Sequence, residues 1–247
     1  MKIPGPARLL ILTCFFLPAT RIAAQSAADD SMLYKKAVYH VISLYHQAIG
    51  EQSGLFNGSQ YGRYPFLFAA GGYPFFKEDK PGTGSVIYDG ILYEQVELQY
   101  DEVQEALVMQ DSIRRIQLLN KKIAGFTLFD NTFIHIVKDS TAEPLVRTGF
   151  YNLLYKGNIS LLKREEKVIR EDVSTGELLR FIDLNVYYYI QKNNSFYSIK
   201  KKASILDIFK DRKKDIRQYI RKNKLRYRDN RDNMLIKVTA YYDQLIK

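Results

Sequence analysis

The segment Ser85-Val86-Ile87-Tyr88-Asp89-Gly90-Ile91-Leu92-Tyr93-Glu94-Gln95-Val96-Glu97-Leu98-Gln99-Tyr100 carries the clearest structural signal in the chain. Two runs rich in β-branched and aromatic residues flank Asp89-Gly90, a dipeptide that satisfies the positive φ angles of a type I′ turn. The spacing predicts a hairpin of Ser85–Tyr88 against Ile91–Tyr100. Similar apolar segments recur downstream and predict strands at Ala106–Met109, Ile113–Leu119, Lys122–Phe129, Thr132–Val137, Gly149–Tyr155, Asn158–Ile169, Leu178–Ile182, Val186–Gln191 and Phe196–Lys200. Turn-like pieces lie between several of them: Asn120-Lys121, Asp130-Asn131, Lys156-Gly157 and Lys192-Asn193-Asn194. Connectors this short force antiparallel neighbours, because a parallel crossover needs about a dozen residues. The expectation for residues 85–200 is an antiparallel β-meander of about nine to eleven strands, forming a curved sheet, half-barrel, barrel or sandwich.

Helices are expected on either side, which makes the fold class α+β. About 30–49 reads as a helix, with Asp30 and Ser31 as caps, Leu33, Val38, Val41, Ile42, Tyr45 and Ile49 at helical spacing, and Gly50 as the stop. Residues 50–84 are rich in Gly and Pro but also carry Phe56, Tyr61, Tyr64, Phe66, Phe68, Tyr73, Phe75 and Phe76. A solvated linker would not hold so many rings, so these are expected to be buried against the main body. The C-terminal segment, 201–247, predicts two helices packed on the same domain. One runs from an N-cap at Ser204 to about Arg221, and the other from about Asn230 to Leu245.

The start of the chain has the pattern of a targeting signal. Lys2 and Arg8 precede the apolar run Leu9 to Leu17, Pro18 breaks it, and Arg21-Ile22-Ala23-Ala24-Gln25 follows. This order predicts a secretory signal peptide over 1–24, with cleavage after Ala24. The run is shorter than the roughly 20 residues a membrane-spanning helix needs. An uncleaved anchor or a buried helix is the alternative reading. The single Cys, Cys14, follows Thr13, where a small residue normally precedes a lipidated cysteine, so lipidation is not expected. A chain cut at Ala24 holds no Cys and has no thiol chemistry. The expected location is the periplasm or cell envelope.

Charge is uneven along the chain. Overall, 37 Lys and Arg stand against 27 Asp and Glu. Residues 25–199 hold 18 basic and 21 acidic side chains, whereas 200–231 hold 14 basic and 4 acidic. On a helix over 204–224, Lys210, Lys213, Lys214, Arg217, Arg221 and Lys224 fall on one arc, away from Ile205, Ile208, Phe209, Ile216, Tyr219 and Ile220. The stripe continues as Arg226, Arg228 and Arg231. Asp207 and Asp211 are spaced to reach Lys210 and Lys214. One reading is a docking surface for an anionic partner, either an anionic envelope surface (lipid head groups or a polyanionic glycan) or an acidic protein. The other is a solvated face of a helix that packs by its apolar side. Nucleic acid is not an expected partner, since no zinc finger, helix-turn-helix or RNP strand occurs and export removes the chain from such targets.

Catalytic patterns are sparse. His40 and His46 are six apart and fall on opposite sides of a helix, while His135 alternates with Phe133 and Val137 along a strand. No HExxH, CxxC or GxSxG pattern occurs, and Gly82-Thr83-Gly84-Ser85 lacks the Lys and helix of a phosphate loop. Glu94, Glu97, Asp101, Glu102 and Glu105 form the densest carboxylate run, read as solvated charge at a hairpin end. No cofactor, metal site or membrane span in the mature chain is expected. The leading expectation is a non-enzymatic binding or scaffold protein. A carboxylate-dependent, glycan-directed hydrolase using carboxylates within Glu94–Glu105, with Glu97 and Asp101 the residues to test, is one alternative. A lipid or lipoprotein carrier, with Phe126, Phe129, Phe133 and Tyr187 lining a hollow, is the other.

Leu55-Phe56-Asn57-Gly58-Ser59-Gln60-Tyr61, Gly72-Tyr73-Pro74-Phe75-Phe76 and Tyr88-Asp89-Gly90-Ile91-Leu92-Tyr93 resemble segments of uncharacterised exported β-rich proteins of Gram-negative bacteria. The tail Ile220-Arg221-Lys222-Asn223-Lys224-Leu225-Arg226-Tyr227-Arg228 is similar to theirs as well. That family has no assigned activity, so the resemblance implies export and a β-rich build alone. In element order only, the chain is also similar to periplasmic lipoprotein carriers, whose curved sheet is closed by helices.

Overall fold

The structure is a computed structural model that describes residues 34–44, 54–111, 114–138, 146–174 and 176–246. The expected signal segment, Cys14, His46, and the caps expected for the first helix at Asp30, Ser31 and Gly50 lie outside those residues. Two compact units divide the chain, Met1–Ala37 and Val38–Lys247. Helix α1, residues 34–44, has its first turn in the smaller unit, and all elements described below belong to the larger one.

The fold is α+β. Its strands are β1 (Ser59–Gln60), β2 (Gly82–Tyr88), β3 (Ile91–Asp101), β4 (Ala106–Asp111), β5 (Arg114–Gln117), β6 (Ile123–Leu128), β7 (Asn131–Ile136), β8 (Gly149–Lys156), β9 (Ser160–Asp172), β10 (Leu179–Lys192) and β11 (Ser195–Ser198). They form one antiparallel sheet in the order β1-β5-β4-β3-β2-β6-β7-β8-β9-β10-β11. The sheet is open, so of the expected forms the closed barrel is ruled out. The Asp89-Gly90 turn forms as read: both residues have positive φ, 54° and 80°, and Tyr88 pairs with Ile91. Asn193 and Asn194 make the same kind of turn between Lys192 and Ser195. The turn expected at Asp130-Asn131 lies one residue earlier, at Phe129-Asp130, because Asn131 already pairs with Leu128. The strands expected at 178–182 and 186–191 are one continuous β10, held along its length by β9 from Gln191↔Ser160 to Leu179↔Asp172.

Register explains where the core lies. Tyr93, Val86, Phe126, Phe133, Asn152, Lys163 and Tyr188 are successive partners from β3 across to β10, so they share one face. On the β2–β8 half that face curls around its own side chains. Tyr100, Phe126, Phe133 and Phe150 meet at ring separations between 4.5 and 5.7 Å. On the β9–β10 half the same face is covered by α2 (Lys202–Ile208), α3 (Lys213–Lys222) and α4 (Arg231–Leu245). There Leu161 and Ile190 pack against Ile205, Phe209, Ile216, Leu235 and Tyr242. Burial of each such side chain contributes about 1.5–3 kcal/mol.

The single helix expected from 204 to 221 is broken. α2 stops at Ile208, a 3-10 turn spans Lys210–Arg212, and α3 begins at Lys213. Phe209 sits at the break with φ −99° and ψ 39°. Its fully buried ring stacks on Tyr242 at 3.9 Å. A straight helix would carry Phe209 and Ile216 on one rigid face; the break lets each settle separately into the core. Ser204 is not the N-cap: it lies inside the first turn of α2, its hydroxyl accepting the Lys201 N–H. Helix α4 starts as read, with the Asn230 side chain accepting the Asn233 N–H at 2.9 Å. In the aromatic segment Tyr61, Phe75 and Phe76 are buried, but Phe56, Tyr64, Phe66, Phe68 and Tyr73 are only half-buried, so the expectation of uniformly buried rings is corrected.

Candidate functional site

Helix α3 presents two faces. Ile216 and Ile220 are buried, and Lys214, Arg217 and Arg221, spaced by three and four, project into solvent. Lys224 follows just past the helix end, also exposed. Of the six cations expected on one arc, Lys213 is diverted: its Nζ lies 2.8 Å from Asp207 Oδ1, and that bond holds the Asp207 carboxyl below its ordinary range. Lys210 belongs to the preceding 3-10 turn rather than to α3. The expected pairs Asp207–Lys210 and Asp211–Lys214 do not form. Non-helical backbone at Phe209 breaks the spacing of the first pair and at Arg212 that of the second, and Asp211 instead accepts the Tyr242 hydroxyl at 3.0 Å. Among the described residues, no carboxylate lies within 4 Å of Lys210, Lys214, Arg217, Arg221 or Lys224.

Two grooves flank this row, and Arg217 and Arg221 border both. One, of about 480 Å³, has a floor of Leu206, Ile220 and Leu225 and a rim that includes Lys202, Lys224 and Arg226. The other, of about 920 Å³, adds Lys210 and Lys214 together with Asp211 and Asp215. Lys200, Lys201 and Lys202 lie beside Arg226, Arg228 and Arg231 along a third depression and extend the basic surface. The run of three lysines at the start of α2 is the sequence signal for this extension, but periodicity within α3 does not reach it.

The carboxylate run has a different environment from the one expected. Glu97 is exposed and accepts the Thr83 hydroxyl at 2.6 Å. Glu94 is exposed as well, but Asp101 and Glu102 are 0% and 4% exposed, which overturns the reading of solvated charge for these two. Asp101 accepts from the hydroxyls of Tyr61 and Tyr64, at 2.6 and 3.0 Å, and from the N–H groups of Val103 and Gln104. Four donors occupy the carboxylate and fix the β3–β4 turn. Glu102 Oε1 is buried without a hydrogen-bond partner, and Oε2 lies 3.4 Å from Lys167 Nζ. Burial pushes the Glu102 carboxyl up to about 7, outweighing the nearby lysine. Glu105 pairs with Arg164 at 3.1 Å. Glu102 and Glu105 are thus held by different cations, in packed surroundings.

His135 packs on Phe150 at a ring separation of 4.9 Å, with Nδ1 3.0 Å from the Ile123 carbonyl, and His40 lies 3.6 Å from Glu94. Among the described residues no group of three or more His, Cys, Asp or Glu is placed to hold a metal ion, and no helix is long and apolar enough to cross a membrane. Phe126 and Phe133 stack within the packed core, Phe129 packs partly buried against it, and Tyr187 faces the opposite side of the sheet. These four rings therefore do not share one hollow. No family profile, no characterised protein and no solved structure matches the chain.

Proposed function

We propose that the protein is an exported, non-enzymatic binding or scaffold protein of the cell envelope that docks through α3 onto an anionic membrane surface. One observation carries this reading: Lys214, Arg217 and Arg221 form an exposed row without carboxylate partners, on a helix anchored from behind by Ile216 and Ile220. A merely solvated helix face usually intersperses acids at positions three or four residues away, which relieves the repulsion between like charges. Here Asp207 pairs with Lys213, Asp211 accepts from Tyr242, and Asp215, on the same helix, makes no ion pair with the row within 4 Å. Export is supported by the basic start, short apolar run and small residues of 1–24. A non-catalytic role is supported by Asp101, Glu102 and Glu105, whose contacts tie them to the fold.

Near an anionic leaflet each basic residue contributes about 1 kcal/mol, screened over about 8 Å at physiological salt. The test is co-sedimentation of the purified chain with vesicles of phosphatidylglycerol and phosphatidylcholine, and of phosphatidylcholine alone, at low and physiological salt. Binding is expected only with the anionic lipid. It should weaken as salt rises and fall by about two orders of magnitude or more in the triple variant Lys214→Glu, Arg217→Glu, Arg221→Glu. Equal sedimentation of the triple variant and the unmodified chain would overturn the reading.

A further inference from the structure

A second cation lies away from the basic face. Arg115, on β5, is half-buried between the rings of Tyr61 and Phe75, at 4.7 and 5.2 Å from their centroids. Its Nη2 donates to the amide oxygen of Gln99, which is itself 5% exposed. Its Nε is buried and has no hydrogen-bond partner. Among the described residues no carboxylate comes within 4 Å of it. Burial, reinforced by the charge of Arg63, lowers the affinity of this guanidinium for its proton. Asp79 and Asp101 favour its charge from a distance, but a desolvated cation with no carboxylate in contact is costly for a fold to keep. Other buried or half-buried cations here are matched: Arg164 has Glu105, Lys163 has Glu165 and Asp232, and Lys167 has Glu102.

Arg115 also borders a cleft of about 610 Å³, within the size range of small-molecule sites. One wall is a three-ring cluster of Tyr64, Phe66 and Phe68, with mutual separations of 5.2 to 5.7 Å. These rings are only half-buried, and Leu67 at the lip is 93% exposed. Arg63 and Asp79, both exposed, line the same cleft, so two cations there stand against one acid. We propose that this cleft binds a small carboxylate carried on a ring. The acid would pair with Arg115 and Arg63, and the ring would lie against the aromatic wall. A planar guanidinium fits a carboxylate through two parallel hydrogen bonds, and aromatic faces accept flat saccharide or aryl rings alike.

The test is titration calorimetry of the full chain with digalacturonate, with its methyl ester, and with indole-3-acetate. An acid that binds while its neutral ester binds about 10- to 100-fold more weakly supports the proposal, that being the range expected for losing a charge-assisted hydrogen-bonded pair. Which acid binds tells whether the ring is a sugar or an aryl group. The variant Arg115→Met should abolish this binding. The exposed Arg63→Met should weaken it without affecting the fold, which covers the case in which Arg115→Met unfolds. The triple α3 variant should bind the acid unchanged, so failure here is distinct from failure of the membrane reading. The proposal is overturned if neither acid binds at millimolar concentration, if acid and ester bind equally, or if the α3 variant loses the binding.

Discussion

Arg164 and Glu105 clamp the β3–β4 turn into a seam of the sheet. The pairing of β8 with β9 ends at Asn152↔Lys163, and the turn fills the gap beyond it. Glu105 Oε1 accepts the Phe150 N–H of β8 at 3.1 Å, Oε2 meets Arg164 of β9 at 3.1 Å, and the Glu102 carbonyl accepts the Lys167 N–H at 3.2 Å. The approach is so close that only Gly fits at 149: its φ is 149°, and an added Cβ would lie 1.7 Å from Glu105 Oε1.

Removing the acid from this clamp should be expensive. Glu105→Ala leaves the Arg164 side chain, 9% exposed, without its counter-ion and the Phe150 N–H without an acceptor. The expected loss is about 3–5 kcal/mol, measured as a shift of the urea midpoint. The double variant Glu105→Ala, Arg164→Met should lose clearly less than the sum of the single changes, because no buried charge is left over. A loss under about 1 kcal/mol for Glu105→Ala would show that the seam is held by other contacts.

The strands of this seam were readable in the sequence, but the seam itself was not. Alternation and turn chemistry located the β2–β3 hairpin because Asp89-Gly90 carries its geometry locally. Asp101 and Glu102 misled for the same reason: acids after a strand usually face water, and only the return of β9 and the Tyr61–Tyr64 segment buries them. The basic row was legible through its spacing, while the break at Phe209 depends on Tyr242 of α4, a partner that no local pattern announces. Arg115 gave no sequence signal at all. Its burial comes from Tyr61, Phe75 and Gln99, residues brought together by β1–β5 pairing and by the bridge between Phe75 and Asp101.

The break at Phe209 has a measurable consequence. Phe209→Ala favours helix locally but empties a fully buried site against Tyr242. The expected loss is about 3–5 kcal/mol. The triple charge reversal on α3 should change stability by only about 0.5 kcal/mol per exposed position. Ile216→Asp, which buries a charge in the same core, should destabilise whether or not the basic row binds anything. If thermal unfolding of Phe209→Ala matches that of the unmodified chain, the ring does not anchor the break.

Glu102 gives the last expectation, a pH dependence of opposite sign to that of an ordinary paired carboxylate. Burial raises its folded pKa to about 7 from an ordinary value of 4.5. The folded chain therefore holds a proton over a range where the unfolded chain has lost it. This group contributes most to stability below about pH 4.5, and that contribution is lost as pH rises through about 7. At about 1.36 kcal/mol per pKa unit, the ionised carboxyl costs roughly 3 kcal/mol at pH 8. The groups that set this balance are Lys167 and Lys163, which favour the charge, and Glu165, which opposes it. Glu102→Gln imitates the protonated form, so it should stabilise the fold by about 2–3 kcal/mol at pH 8 and hardly change it near pH 4. Urea unfolding of both chains at the two pH values measures this, and the difference between them cancels the titration of the other carboxylates. If the Gln variant is no more stable than the unmodified chain at pH 8, Glu102 is not strained by its charge, and Lys167 compensates its burial in full.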